Sequence, residues 1–385
     1  MTRLSSAFLR PRRAAFALVV ASLLAAPAAL AQGSSLPNVR RLPDGTLEIV
    51  KPPPEQAPAQ PKAPRKRPAP AAAAAGVEPR DDEGPANEKV MIGRTSFRTV
   101  EAAIKAAKPG DTILLPPLIY RRGITIHASG VTLRGVPGTF FVGGAAGGKA
   151  AMVVTGNDVT IEQIGCADIY VADKNGACVR AEGVNLTLRN VEFRDSETGI
   201  LATNRAGQIR IVDSVFEGLG RNGQAHSIYV NGGRLHVSGT RVAGAQVGHE
   251  VKSRAAETVI EDCVITSGAA EDSRAVDVPE GGVLIMRRNI LHKGSRSQNF
   301  DMIGVGLENR RHGEARVVLE DNTLIFDRPN SSLFNLAPWA TTPEVRGNLI
   351  VGGDGARWPG NRVFATRAAA GMPPAPELPP AGAPR

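Results

Sequence analysis

The sequence has few aromatic residues and few cysteines. Of its 385 residues only 11 are Phe, 3 Tyr and 2 Trp, although 42% are hydrophobic. The apolar content is therefore mostly small and aliphatic, which argues against a compact, aromatic-rich α/β enzyme domain. Cys166, Cys178 and Cys263 form at most one disulfide, and no C-x-x-C motif is present. This excludes a disulfide-stapled miniprotein and argues against a metal site built on cysteine.

The first 31 residues have the pattern of a secretory signal. Arg3, Arg10, Arg12 and Arg13 precede an apolar stretch that ends in Ala29-Leu30-Ala31. A basic start, an apolar centre and an A-x-A end are typical of a cleavable signal peptide, and a retained membrane anchor is the alternative. Arg12-Arg13 is compatible with twin-arginine export as well as with the Sec route. The mature protein is thus predicted to be periplasmic or secreted.

Composition divides the remainder of the chain. Pro/Ala-rich residues 32–88 predict a disordered linker and residues 366–385 a disordered tail, which leaves 89–365 as the folded domain. The formal net charge of +9 falls to +5 without the four arginines of the signal. That excess suits an acidic ligand. Export, the even spread of charge and the shortage of aromatic residues argue against nucleic acid, and membrane contact is expected only through an uncleaved signal or the basic cluster at 62–67.

A repeat dominates the folded domain. Short alternating apolar segments recur, each followed by two or three polar residues and a small or Asn residue. Equivalent positions lie 23 to 33 residues apart, at Val136, Ile164, Val191, Ser214, Thr240, Cys263, Asn289, Asn322 and Asn348. A recurring period with insertions at one place per unit is typical of a solenoid. Few two-residue hairpin turns link the strands, so neighbouring units are expected to pair in parallel; the frame of the rival leucine-rich repeat is missing.

Two further features identify the kind of solenoid. Thr240, Cys263, Asn289, Asn322 and Asn348 fall at one corner, where stacked side chains can hydrogen-bond along the axis. A helix from Thr99 to Lys108, ended by Pro109-Gly110, precedes the repeats. On these features the chain resembles the pectate-lyase-like superfamily from about Val90 to Gly352. The resemblance implies an all-β, right-handed parallel β-helix with a short N-terminal capping helix, and it makes Cys263 a buried ladder residue without a redox role.

Residues that could take part in catalysis concentrate on the strand that precedes each short alternating apolar segment. If Ile228, Val251 and Val276 point inward, alternation sends Tyr229, Lys252 and Asp277 outward as one column, with one extra residue at Gly281-Gly282. The same alternation places Glu250 and Arg254 beside Lys252. Two histidines, His226 and His249, begin their strands and are expected at a corner or half buried.

Such a column suits elimination chemistry on a uronate. That reaction neutralises a carboxylate, removes the neighbouring proton with a base, and protonates the leaving glycosidic oxygen. Lys252 is the candidate base, Arg254 or His249 binds the carboxylate, and Tyr229 donates the proton. His226, Glu250 and Asp277 are candidate substrate-binding residues.

Lys252-Ser253 resembles the base strand of alginate- and chondroitin-type polysaccharide lyases. Those enzymes place an acidic calcium-binding pair several residues before the lysine, whereas here Glu250 is two before it. No calcium, other metal or cofactor is therefore expected.

Three alternatives remain open. Hydrolysis needs clustered Asp residues, but Asp262 and Asp321 lie in turns, and only Asp272, Asp301 and Glu308 remain as rim residues. Pectin-type esterases are disfavoured on the same grounds. The charged residues can also be simple cross-strand ion pairs on a non-catalytic envelope or surface β-helix that binds glycan or protein.

The insertion from Glu308 to Glu314 is expected to overhang the same face as a cleft wall. The oligomeric state and the substrate stay open.

Overall fold

The computed structural model describes residues 89–375, together with short strands at 39–41, 47–49 and 80–81. The signal predicted for 1–31, most of the linker 32–88 and the end of the tail 366–385 lie outside the described residues. Strands β1 (Val39–Arg41) and β2 (Leu47–Ile49) pair antiparallel and belong to a separate compact unit. The remaining strands form three sheets.

The bounds of these strands are given sheet by sheet. Sheet 1 contains β8 (Ile124–Ile126), β11 (Ala150–Val154), β14 (Ala177–Ala181), β17 (Thr198–Ala202), β20 (Ile228–Val230), β23 (Val251–Ser253), β26 (Val276–Val278), β29 (Asp301–Val305) and β32 (Ser332–Leu336). Sheet 2 contains β4 (Val90–Ile92), β5 (Thr95–Phe97), β6 (Thr112–Leu114), β9 (Thr132–Arg134), β12 (Val159–Glu162), β15 (Leu186–Arg189), β18 (Gln208–Val212), β21 (Arg234–Ser238), β24 (Glu257–Glu261), β27 (Gly282–Arg287), β30 (Ala315–Glu320) and β33 (Glu344–Arg346). Sheet 3 contains β3 (Arg80–Asp81), β7 (Leu118–Tyr120), β10 (Phe140–Val142), β13 (Gly165–Ala167), β16 (Glu192–Arg194), β19 (Val215–Glu217), β22 (Arg241–Ala243), β25 (Val264–Thr266), β28 (Ile290–Lys293), β31 (Thr323–Phe326), β34 (Leu349–Val351) and β35 (Arg362–Phe364).

The chain visits sheet 2, sheet 3 and sheet 1 in turn, and each strand pairs in parallel with its equivalent in the next coil. The antiparallel pairs of β4 with β5 and β6 lie at the N-terminal end. The predicted all-β, right-handed parallel β-helix is therefore confirmed. Aliphatic side chains stacked from coil to coil fill its interior, which accounts for the shortage of aromatic residues.

A short helix covers the start of the solenoid. Helix α1 (Val100–Ala106) begins after Thr99, whose hydroxyl accepts a hydrogen bond from the backbone N–H of Ala102. Val100, Ala103 and Ile104 are buried on one face of the helix. The helix predicted from Thr99 is thus present and slightly shorter than expected. The only other helix in residues 89–375 is a 3-10 turn at Gly355–Arg357.

The predicted asparagine ladder occupies the corner between sheets 2 and 3. The backbone N–H groups of Cys263, Asn289 and Asn322 donate to the side-chain Oδ1 of Asn289, Asn322 and Asn348, respectively, at 2.8 to 2.9 Å. The residue before each ladder position adopts positive φ, as in Asp262 (56°) and Asp321 (57°). These two aspartates therefore have the turn role that the sequence suggested, because Asp tolerates the left-handed region.

The three cysteines form one disulfide and one free thiol, in keeping with the prediction of at most one disulfide. Cys166 and Cys178 form a disulfide across the connection from β13 to β14, and Cys263 is a buried free thiol. Burial raises the pKa of Cys263 to about 12. The thiol therefore stays protonated, in keeping with a packing role in the ladder.

Residues from the start of the predicted tail contact the solenoid. Arg367 donates two hydrogen bonds of 2.7 Å to the carboxylate of Asp327, and His292 Nε2 lies 2.8 Å from the same carboxylate. All three side chains are largely buried. This cluster, the C-terminal clasp, holds residues near 367 against sheet 3.

Candidate functional site

The outer face of sheet 1 carries the predicted column. Tyr229, Lys252 and Asp277 are register partners on adjacent strands β20, β23 and β26. Their inward neighbours Ile228, Val251 and Val276 are fully buried in the core, as alternation requires. Further along, Glu257 pairs with Val283, so the register shifts by one residue after Asp277. Gly281 and Gly282, with φ of 78° and 89°, absorb that extra residue as expected.

Lys252 and Arg254 converge on one carboxylate. Lys252 Nζ lies 2.7 Å from Glu308 Oε1, and Arg254 Nη1 lies 2.7 Å from Glu308 Oε2. Only 11% of the Lys252 side chain and 19% of the Arg254 side chain are exposed, against 40% for Glu308. Both cations also lie about 6 Å from the ring centroid of Tyr229. Two cations, a phenol and a carboxylate therefore share one half-buried patch.

Glu308 comes from the loop 306–314, which we call the overhanging loop. This loop joins β29 to β30 and was expected to overhang the face. Arg311 Nη1 donates to the backbone oxygen of Asn231, and His312 Nε2 lies 3.0 Å from the backbone oxygen of Arg254. The loop therefore lies over the ends of β20 and β23, where the insertion was expected to overhang, and its role as a cleft wall stays a prediction.

Glu280 anchors the overhanging loop from below. Its buried carboxylate accepts hydrogen bonds from Arg254, Asn309 and Arg311 at 2.8 to 3.1 Å. Burial acts to raise the pKa of Glu280, but these hydrogen bonds outweigh that effect and lower the pKa below its ordinary value. Glu280 thus stays charged and connects the loop to the column.

Asp277 lies between Lys252 and Arg274. Its Oδ2 is 3.8 Å from Lys252 Nζ, and its Oδ1 accepts from Arg274 Nη1 at 3.2 Å. Arg274 also bonds the carboxylate of Asp301 through Nε. Burial raises the pKa of Asp277, an effect that the positive charges of Arg274 and Lys252 oppose.

Sequence reasoning missed Arg274 and saw no pair of Asp residues on this face. The structure places Asp277 and Asp301 on the two sides of Arg274. A usable signal existed, because Arg274 occupies in its coil the position that His226 and His249 hold in theirs. Both aspartates are almost fully buried, which limits their access to a ligand.

His226 and His249 stack on each other at the corner that leads into sheet 1, with ring centroids 4.9 Å apart. His226 Nδ1 accepts from the backbone N–H of His249, and His249 Nδ1 accepts from that of Arg274, at 3.0 and 3.1 Å. Each neutral ring therefore carries its proton on Nε2. Burial, reinforced by Lys252 and Arg254, lowers the pKa of His226 to about 3. The pKa of His249 is lowered for the same main reason. The two rings are thus neutral, and His249 Nε2 lies 3.6 Å from Asp277 Oδ2.

Glu250 does not lie beside Lys252 on the outer face. Its side chain is fully buried and accepts from Ser227 Oγ and from the backbone N–H of Ala245, at 3.2 and 2.8 Å. Burial, with a contribution from nearby Asp272, raises its pKa to about 8. The expectation of an outward Glu250 was wrong because β23 begins only at Val251. Alternation does not extend into the bend before the strand.

Asp272, a rim candidate for hydrolysis, is also buried, where it accepts from Ser267 and Ser297. No group of three or more His, Cys, Asp or Glu side chains in the described part of the chain is arranged to hold a metal ion. Within the same residues, no helix has the length and apolar character needed to cross a membrane.

No protein-family model and no curated protein matches the chain. Among solved structures, the chain is similar to alginate lyase from Paenibacillus sp. str. FPU-7, with a TM-score of 0.52 and 18% identity over 69% of this chain and 93% of that one. Pectate lyase Pel9A is similar at a TM-score of 0.46 and 14% identity, covering 70% and 78% of the two chains. ORF18 of Geobacillus virus E2 follows at 0.45 and 14%, covering 71% and 57%. The likeness to the alginate lyase shows the fold alone, a parallel β-helix, as the sequence features indicated.

Proposed function

We propose that this protein binds an acidic polysaccharide along the outer face of sheet 1 and cleaves it by β-elimination. The observation that carries the proposal is the patch formed by Tyr229, Lys252 and Arg254, in which a primary amine, a guanidinium and a phenol meet on one half-buried surface. These are the three kinds of group that the reaction needs, and the surroundings are only partly open to water.

The chemistry assigns one role to each group. Lys252 takes the proton from the sugar carbon beside the carboxylate, and the electron pair left behind forms the new C=C bond. The bond to the glycosidic oxygen breaks, and the Tyr229 hydroxyl donates its proton to that oxygen. Arg254 neutralises the carboxylate while negative charge accumulates on it. The products are one chain that ends in an unsaturated sugar and one chain that ends in a new free hydroxyl.

The remaining predicted residues have supporting roles in this proposal. His226 is buried, and His249 Nε2 lies 3.6 Å from Asp277 Oδ2, so the two rings support the column from below. Asp277 positions Lys252, from which it lies 3.8 Å. Glu250 has no contact with substrate, because it is fully buried under the adjoining bend. These assignments leave proton transfer to Lys252 and Tyr229.

We further propose that the protein acts outside the cytoplasm. The basic-apolar-AxA pattern of residues 1–31 supports export, and the Cys166–Cys178 disulfide fits an oxidising compartment. N-terminal sequencing of the protein purified from its native host tests this, with Gln32 as the expected first residue. A mature chain that still begins at Met1 would exclude cleavage of the predicted signal.

The activity test is incubation with alginate, pectate and glycosaminoglycans, followed by ultraviolet absorbance of the conjugated double bond. Product is expected from the wild type and from Lys149→Ala, and none from Lys252→Ala. Lys149 is the control because it is a half-exposed lysine that pairs with Glu182, outside the patch. Binding without any product would favour the non-catalytic glycan-binding alternative. New reducing ends without absorbance would favour hydrolysis.

A further inference from the structure

The carboxylate of Glu308 has an unusual position for a surface residue, because each of its oxygens contacts a different cation. Oε1 lies 2.7 Å from Lys252 Nζ and Oε2 lies 2.7 Å from Arg254 Nη1. The two cations are largely buried, whereas 40% of the Glu308 side chain is exposed. The acid therefore closes a cationic recess from its solvent side.

We propose that Lys252 and Arg254 form a seat for one sugar carboxylate and that Glu308 is an internal ligand which the polysaccharide displaces. The inference rests on the function proposed above and specifies where the substrate carboxylate binds. It selects Arg254 over His249 as the carboxylate partner. The seat holds a single carboxylate, which contacts Arg254 and lies beside the Lys252 amine, so a uronate and Glu308 exclude each other.

The seat also agrees with the proposed chemistry. The proton removed in the elimination is attached to the carbon bonded to the carboxylate. A uronate carboxylate in the place of Glu308 would therefore bring that C–H bond next to Lys252 Nζ, since a carboxylate oxygen already lies 2.7 Å from it. Binding at Arg254 and proton removal by Lys252 are thus consequences of one orientation.

Displacement of Glu308 does not require the overhanging loop to open. The backbone N–H groups of Glu308 and Asn309 donate to the Pro279 carbonyl, and that of His312 donates to the Glu280 carbonyl, at 2.9 to 3.2 Å. Arg311 and Asn309 hold the Glu280 side chain independently. Rotation of the Glu308 side chain alone would empty the seat.

Arg254 can exchange Glu308 for another carboxylate. Its Nη1 serves Glu280 and Glu308, while its buried Nε has no acceptor among the described residues. A sugar carboxylate that replaces Glu308 at Nη1 would form the same kind of charge-assisted hydrogen bond, while the contact of Arg254 with Glu280 stays in place.

The test measures binding of a small carboxylate and so does not depend on cleavage. Acetate and galacturonate are titrated into the full-length protein, with uncharged methyl galactoside as the ligand control. Glu308→Gln is expected to bind both carboxylates roughly two- to fivefold more tightly than wild type, because a competing exposed ion pair is removed. Glu314→Gln, an exposed acid of the same loop with the same change of charge, is expected to bind like wild type.

A double-mutant cycle locates the effect. In the background of Arg254→Ala, the change Glu308→Gln is expected to bring no gain, because the seat is already lost. Thermal midpoints of the Gln variants close to that of wild type would show that the loop remains in place. An equal gain in Glu308→Gln and Glu314→Gln, or no gain in either, would overturn the seat. Tighter acetate binding in Glu308→Gln without binding of any polysaccharide would retain the seat and reject the proposed function.

Discussion

The Nδ1 atom of His226 accepts a hydrogen bond from the backbone N–H of His249 one coil later, at 3.0 Å. Because a protonated ring could not accept this bond, the stacked pair depends on both rings remaining neutral. The main-chain register of sheet 1 thereby controls the chemistry of two side chains at the site.

The first prediction concerns acid stability. Burial lowers the pKa of His226 in the folded state to about 3, below its ordinary value, so the unfolded chain binds the proton more readily. The contribution of neutral His226 to the free energy of unfolding is complete above the pKa of the unfolded state. It is lost progressively as the pH falls from the unfolded-state pKa to the folded-state pKa. At pH 5 the loss for His226 is about 2 kcal/mol. Urea unfolding between pH 8 and pH 5 measures it.

His226→Gln is expected to flatten this pH dependence. His236→Gln is the control, because His236 is a half-exposed residue on sheet 2 that pairs with Glu261. An unchanged slope in His226→Gln would contradict the assignment of a neutral buried ring.

The second prediction concerns Arg274. Removal of its side chain in Arg274→Ala leaves Asp277 and Asp301 buried without their common cation, which is expected to cost about 3 to 5 kcal/mol. Thermal and urea denaturation measure the loss. Arg316→Ala is the control, since Arg316 bonds Glu344 on an exposed surface and is expected to cost less than about 1 kcal/mol. Equal losses in the two variants would contradict the buried cluster.

The third prediction concerns the asparagine ladder. The Asn322 side chain accepts from the backbone and side chain of Asn289 and donates to the Met286 carbonyl and to Asn348. Asn322→Ala leaves several of these buried groups unpaired and is expected to destabilise the coil by roughly 3 kcal/mol. Asn335→Ala, at an exposed position of β32, serves as the control in circular-dichroism melts. A loss below that of the control would refute a structural ladder.

The fourth prediction concerns the C-terminal clasp. Burial acts to raise the pKa of Asp327, but hydrogen bonds from His292 and Arg367 outweigh that effect and lower the pKa to about 2. A carboxyl whose pKa is lowered in the folded state stabilises the protein at pH values above its unfolded-state pKa of about 3.9. For Asp327 this contribution is about 2 kcal/mol, and it is lost as the pH falls toward 2. Arg367→Ala is expected to reduce it and to expose residues near 367 to limited proteolysis at neutral pH. Digestion identical to wild type would argue against the clasp.

The repeat makes much of the site predictable from the sequence. Tyr229, Lys252 and Asp277 share a column because parallel coils align residues at a fixed offset, and the sequence also located the extra residue at Gly281-Gly282. Within a strand, the period of two is reliable because the pleat imposes it. Outside the strand it fails, because Glu250 turns inward at the bend before Val251.

The amino-acid sequence by itself determined the parallel β-helix, its capping helix, the ladder at one corner and the face on which the charged residues gather. Periodic burial and corner hydrogen bonds are local rules that every coil repeats, so the pattern shows them. Only the tertiary structure decided that Glu308 closes the recess of Lys252 and Arg254, and that Arg274 joins two aspartates. Those contacts depend on the path of one nine-residue loop and on side-chain directions at a bend, neither of which is periodic.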